Sequence, residues 1–185
     1  MIGDGSLITF STDLNFKSFF KYPGKFIIQL FTKKKVEHVG IVADGYIYEA
    51  LYPHGVRKRR IKDRPLYKYS HIRSYPLTIK LTKIVKAELK DDLESQLEKD
   101  YSIGRAIYSA FDKIFTFIDV RDKNKKTFCS KLVYKAYNKL GFLPDLNANK
   151  INPYELIEAC KDHGLIDDWY DYRELIKTKK EKNEK

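Results

Sequence analysis

The segment from His38 to Ala50 constrains the fold most. His38-Val39-Gly40-Ile41-Val42 is a short apolar run, Asp44-Gly45 follows, and Tyr46-Ile47-Tyr48-Glu49-Ala50 returns. Asp-Gly accepts the positive φ angles of the tight turns whose twist matches two antiparallel strands. The flanking runs are β-branched and aromatic, which suits a pleated surface. A β-hairpin is therefore expected, and the rest of the chain must supply neighbours for it. Residues 6–10 read as a short strand approached through Gly3-Asp4-Gly5. Residues 56–61, after the Pro53-His54-Gly55 turn, read as a basic edge strand. Leu77, Ile79 and Leu81 alternate with Thr78 and Lys80, which predicts one more half-buried strand.

Helical patterns surround and follow these strands. Residues 16–31 are rich in aromatic and aliphatic side chains and broken by Pro23-Gly24, as a helix-turn-helix would be. Its second half runs into Lys33-Lys34-Lys35; a buried helix ending in cations is preferred there over a membrane-touching one. Residues 91–99 predict a surface helix with Leu93 and Leu97 as its narrow apolar stripe. Residues 103–117 predict a heavily apolar helix. In residues 127–140, Leu132, Val133, Ala136, Tyr137 and Leu140 share one face, with Thr127 as N-cap and Gly141 past the end. Asn152-Pro153-Tyr154-Glu155 has cap, N1 proline and N3 carboxylate in order, opening a last helix that ends near His163-Gly164. Strands first and helices later make the chain α+β, an antiparallel sheet packed against helices. Its 185 residues suit one domain, residues 1–176, followed by a Lys-rich tail at 177–185.

Composition excludes some functions. With 14 Tyr and 11 Phe the chain is not disordered as a whole. Its formal charge of +11 suits an acidic partner such as an anionic membrane or polymer. Nucleic acid is disfavoured, because Arg57-Lys58-Arg59-Arg60 lacks interleaved aromatics and no binding motif appears. Solvated loops account for the same lysines more simply. The only cysteines, Cys129 and Cys160, form neither a metal-ligand pattern nor a disulfide framework. No cofactor or metal is called for. The start of the chain lacks the features of a signal peptide, and no apolar stretch approaches the roughly 20 residues of a membrane span. A soluble, intracellular protein is expected.

Chemistry centres on Cys129. A thiol in the first turn of a helix meets free N–H groups and the positive end of the dipole, which favour thiolate and can serve an oxyanion. Free cysteine is also among the most buried and inert residues, so position alone leaves both readings open. Of four histidines, His54 and His163 occupy ordinary turn and helix-end positions, and His71 follows Tyr69-Ser70 without a pattern. His38 opens a buried strand, with Gly40 beside it allowing close approach. Across the hairpin, Glu49 is either a surface glutamate or the carboxylate that holds His38 through its Nδ1–H.

The ordered set Glu37-His38-Val39-Gly40-Ile41-Val42, Tyr48-Glu49-Ala50, Gly55-Val56 and Phe128-Cys129-Ser130-Lys131-Leu132-Val133 resembles the circularly permuted branch of NlpC-type papain-fold cysteine hydrolases. That branch includes YiiX-like bacterial proteins and a poxvirus relative, and it is similar to the lecithin:retinol acyltransferase group. In it the histidine strand precedes the cysteine helix, as here. Gly3-Asp4-Gly5-Ser6-Leu7-Ile8, the Tyr101 to Tyr108 segment and Asn152-Pro153 also resemble family segments, while Ser109 departs from the aspartate common there. The resemblance implies a permuted papain-like fold. It also implies a hydrolase or acyl-transfer activity on an amide or ester substrate. Cys129 would be the nucleophile, His38 general base and acid, and Glu49 the orienting third group. The alternative is a catalytically silent protein that docks an anionic membrane or polymer through its basic surface.

Overall fold

A computed structural model describes residues 2–11, 36, 38–60, 63, 69–102 and 126–172. The His38–Ala50 segment forms the expected hairpin, β2 (His38–Ala43) and β3 (Tyr46–Leu51), with Asp44 and Gly45 both at positive φ in the turn. Around it lie β1 (Leu7–Ser11), β4 (Gly55–Arg60), β5 (His71–Tyr75) and β8 (Tyr170–Asp171). They complete a six-stranded antiparallel sheet in the order β4-β3-β2-β1-β5-β8. The basic strand β4 occupies one edge, as its composition suggests. A separate parallel pair joins β6 (Asp100–Tyr101) to β7 (Lys126–Thr127). The described helices are α1 (Lys83–Ser95), α2 (Cys129–Lys139) and α3 (Pro153–Asp162).

The centre of the sheet is covered on both faces. Val39, Ile41, Tyr48 and Ala50 pack with Leu132, Val133 and Tyr137 of α2 in the larger core. Ile8, Phe10, Val42, Ile47 and Ile72 form a smaller cluster on the other side. This is why β1 and β2 are buried at every position. α2 lies against β2 and β3, and the Tyr137 hydroxyl donates to the Gly5 carbonyl, tying helix to strand approach.

Both later helices end as their sequences predict. At the end of α2, Gly141 has φ +73°. Its N–H donates to Asn138 O at 2.9 Å, and Phe142 N–H donates to Tyr137 O at 2.9 Å. This is a Schellman closure with the Tyr137 and Phe142 rings packed at 6.0 Å. At the start of α3 the Asn152 side chain accepts from Tyr154 and Glu155, and Glu155 returns to the Asn152 N–H.

Three expectations are corrected. Residues 77–81 form no strand: only an isolated bridge joins Leu77 to Ile166, and the strand is β5, ending before Pro76. The alternation there arises because Leu77 and Leu81 lie over Gly5 while Ile79 is 46% exposed. The helix expected at 91–99 begins eight residues earlier, where Thr82 caps it by accepting from Val85 N–H, and Leu89 joins Leu93 in the core. Thr127 does not cap α2; it belongs to β7, and Phe128 takes the cap position without a side-chain bond. The helix-turn-helix expected at 16–31, the helix at 103–117 and the tail at 177–185 lie outside the described residues. Among the described residues no helix is long and apolar enough to cross a membrane.

Candidate active site

His38 is the first residue of β2 and Glu49 lies on the neighbouring strand. The β2–β3 register pairs Ile41 with Tyr48 and Val42 with Ile47. Continued toward the strand start, it sets Gly40 opposite Glu49, so His38 and Glu49 become diagonal neighbours on one face. Gly40 carries no side chain at this crowded point beside the pair. A methyl there would lie 2.7 Å from Ile47 Cγ2, 3.1 Å from Tyr48 O and 3.6 Å from Glu49 Cβ. Glu49 Oε2 lies 2.9 Å from His38 Nε2. The expected contact is to Nδ1–H; the structure uses the other ring nitrogen. The Phe10 ring, 5.7 Å from the imidazole, packs beside it.

Glu49 is fully buried, and a buried carboxylate without a cation is costly. Its other oxygen, Oε1, accepts from Arg57 Nε and lies 3.2 Å from Arg57 Nη2. The β3–β4 register places Arg57 directly across from Glu49. Sequence reading missed Arg57 because it stands in a run of four basic residues; the hairpin register is the signal that singles it out.

Cys129 opens α2 at the position after the cap. Its thiol neighbours the His38 imidazole, and the backbone N–H groups of Val39 and Ser130 also favour its charged form. Burial pushes the Cys129 thiol up, but the imidazole and these donors outweigh it and hold the thiol below its ordinary value. Burial likewise opposes charge on His38, yet its contacts with Cys129 and Glu49 raise it to about 9. Both shifts favour thiolate beside imidazolium. Cys160 shows the opposite case: it is fully buried, and burial alone pushes it up to about 12.

The mouth of α2 is fixed by two further bonds. Ser130 Oγ donates to Ile151 O at 2.7 Å, and the nearly fully buried Lys131 donates to Asn149 Oδ1 at 2.8 Å. Tyr101 of β6 lies near enough that the charge on Cys129, after burial, raises its phenol. Its closeness follows from the β6–β7 pair, which sequence pattern did not reveal.

The remaining histidines stay apart from this group. His54 and His163 are exposed, with His163 Nδ1 2.9 Å from Ala159 O, and His71 begins β5. Cys129 and Glu49 both act on the His38 imidazole. Among the described residues no three His, Cys, Asp or Glu side chains gather as metal ligands.

No protein-family model matches the chain, and no curated protein matches it. Its structure is similar to the crystal structure of the metalloprotein YiiX from Escherichia coli O157:H7, a DUF1105 protein. The TM-score is 0.54 with 16% sequence identity, over 92% of this chain and 88% of that one. At that identity the likeness is one of fold, and the chain has a YiiX-like fold.

Proposed function

We propose that the protein is a cysteine hydrolase or acyl-transfer enzyme of the circularly permuted papain-like kind, acting on an amide or ester through Cys129, His38 and Glu49. The observation that carries this reading is the imidazole of His38 between a buried, Arg57-paired glutamate and the thiol of a helix-opening cysteine. Cys129 as thiolate attacks the substrate carbonyl carbon, and the carbonyl π pair moves onto oxygen. N–H groups of the first turn of α2 stabilise that oxyanion. As the tetrahedral intermediate collapses, protonated His38 gives its proton to the leaving amine or alcohol, leaving a thioester on Cys129. His38, now neutral, takes a proton from water or another acceptor as it attacks the thioester. Collapse then releases the acid or transferred acyl product and restores thiolate and imidazolium. Glu49 holds the ring orientation and supports its positive charge, as a third group does in a triad.

Labelling with a thiol-reactive acyl probe tests the proposal. The wild-type protein is expected to be labelled at Cys129, with Cys129→Ala unlabelled and His38→Ala labelled at least about tenfold more slowly, a typical acid–base contribution being about 100-fold or more. A docking protein without catalysis would label Cys129 no faster than an ordinary buried thiol, and that result would overturn the reading.

A further inference from the structure

Away from the His38–Glu49 pair lies a cleft of about 380 Å³. Arg73 and Tyr75 of β5 form one wall, Glu158 and Lys161 of α3 another, and Trp169 also lines it. Val36, two residues before His38, also lines it. Val36 and Tyr75 belong to the same core cluster as Cys129, so the cleft lies on the α2 side of the sheet.

Its polar groups are unevenly matched. The Arg73 guanidinium carbon lies 4.4 Å from the centre of the Trp169 ring, and Lys161 Nζ is 6.0 Å from that of Tyr75. Both are cation–π contacts, which hold a cation without neutralising it. Arg73 Nε is buried and has no hydrogen-bond partner. A buried guanidinium N–H without an acceptor is an unmet demand for an oxygen. Among the lining residues two cations face one carboxylate, Glu158. Asp171, opposite Arg73 across β8, has a partner of its own.

We propose that this cleft is a recognition site for an oxyanion, phosphate or carboxylate, carried by the ligand. Arg73 supplies a planar fork that matches two oxygens, and Lys161 adds a point charge. Trp169 is 45% exposed and its ring lies against the Arg73 guanidinium, so an anion that reaches Arg73 changes the surroundings of the ring. The aromatic walls of Tyr75 and Trp169 favour an apolar group next to the anion. Taken with the hydrolase reading, on which this extension rests, the substrate class is an acyl compound bearing an anionic head.

Trp169 is the single tryptophan of the chain, so its emission reports the cleft directly. The test uses full-length Cys129→Ala protein with hexyl phosphate as soluble probe and hexanol as neutral control. A second arm uses phosphatidylcholine vesicles with and without phosphatidic acid. Hexyl phosphate is expected to change Trp169 emission saturably, and hexanol is not. Calorimetry should show Arg73→Ala weakening binding by about tenfold or more, the usual weight of a charged hydrogen bond, with Arg73→Lys in between. A response to hexyl phosphate alone assigns a soluble anion, and a response also to phosphatidic acid vesicles assigns a lipid head group. No saturable response to either, or one unchanged by Arg73→Ala in a folded protein, overturns the site. Acyl-probe labelling of wild-type Cys129 is read separately, so loss of the anion site and loss of the hydrolase reading give different results.

Discussion

Cys129 and Cys160 carry the same thiol in opposite surroundings. The first opens a helix beside an imidazole and two N–H donors; the second is near a helix end, fully buried, with burial as its only influence. At mildly acidic pH, below the ordinary thiol pKa of about 8.5, iodoacetamide is expected to alkylate Cys129 far faster than Cys160. His38→Ala should remove that advantage and Glu49→Gln should reduce it less, read by mass spectrometry of the modified peptides. The pH dependence has a defined sign. The folded value of His38 is raised to about 9, so its contribution to stability is full below 6.5 and fades as pH rises through about 9. The folded value of Cys129 is lowered, so its contribution is present at alkaline pH and fades as pH falls through that lowered value. Above the lowered Cys129 value the two slopes oppose, and each offsets part of the other. Hydrolysis instead needs imidazolium as acid, so its rate should fall on an alkaline limb near pH 9. A rate still rising through pH 9 would argue that His38 does not protonate the leaving group.

Elements bring these residues together, and the hairpin does most of it. Glu49 reaches His38 from the neighbouring strand, beside Gly40, where a side chain would crowd Ile47 and the Tyr48 carbonyl. Gly40→Ala would place a methyl 2.7 Å from Ile47 Cγ2 and 3.1 Å from the Tyr48 carbonyl, and the backbone atom has little freedom to yield. Such overpacking is expected to cost about 1–3 kcal/mol in urea denaturation. The acyl-probe reaction should slow as well, since Glu49 is displaced from the ring. An unchanged urea midpoint would show that the strands separate easily at this point. Where local chemistry was complete, sequence reading found the element: Asp44-Gly45 closes its hairpin, Gly141 ends α2, and Asn152 with Glu155 opens α3. It failed where side chains were recruited from a distance. Leu77 and Leu81 alternate because they cover Gly5, not because they line a strand. The buried stripe of α1 begins before the residues that looked amphipathic, because Leu89 packs into the core as Leu93 does.

At the scale of the whole molecule, charge is the property still to be placed. Some of the 36 basic residues are paired locally, Arg57 with Glu49, Lys58 with Glu94 at 2.7 Å and Lys139 with Asp92 at 2.7 Å, and these pairs leave the net +11 unchanged. Exposed charges act over a Debye length, about 10 Å at 0.1 M salt and about 3 Å at 1 M. Any binding to anionic vesicles carried by the surface lysines should therefore collapse between those salt concentrations in a sedimentation assay. Binding that survives 1 M salt would point to a built site such as the Arg73 cleft. The α+β class, the central hairpin, the histidine strand ahead of the cysteine helix and the candidates Cys129, His38 and Glu49 were all legible from the sequence alone. Each depends on residues close in the chain, on turn chemistry, or on the order of motifs. The ring nitrogen that meets Glu49, the pairing of Arg57 with Glu49, the β6–β7 pair that carries Tyr101 and the Arg73 cleft were decided by tertiary structure. They depend on register and on which strands become neighbours, and those are settled by packing between segments far apart in sequence.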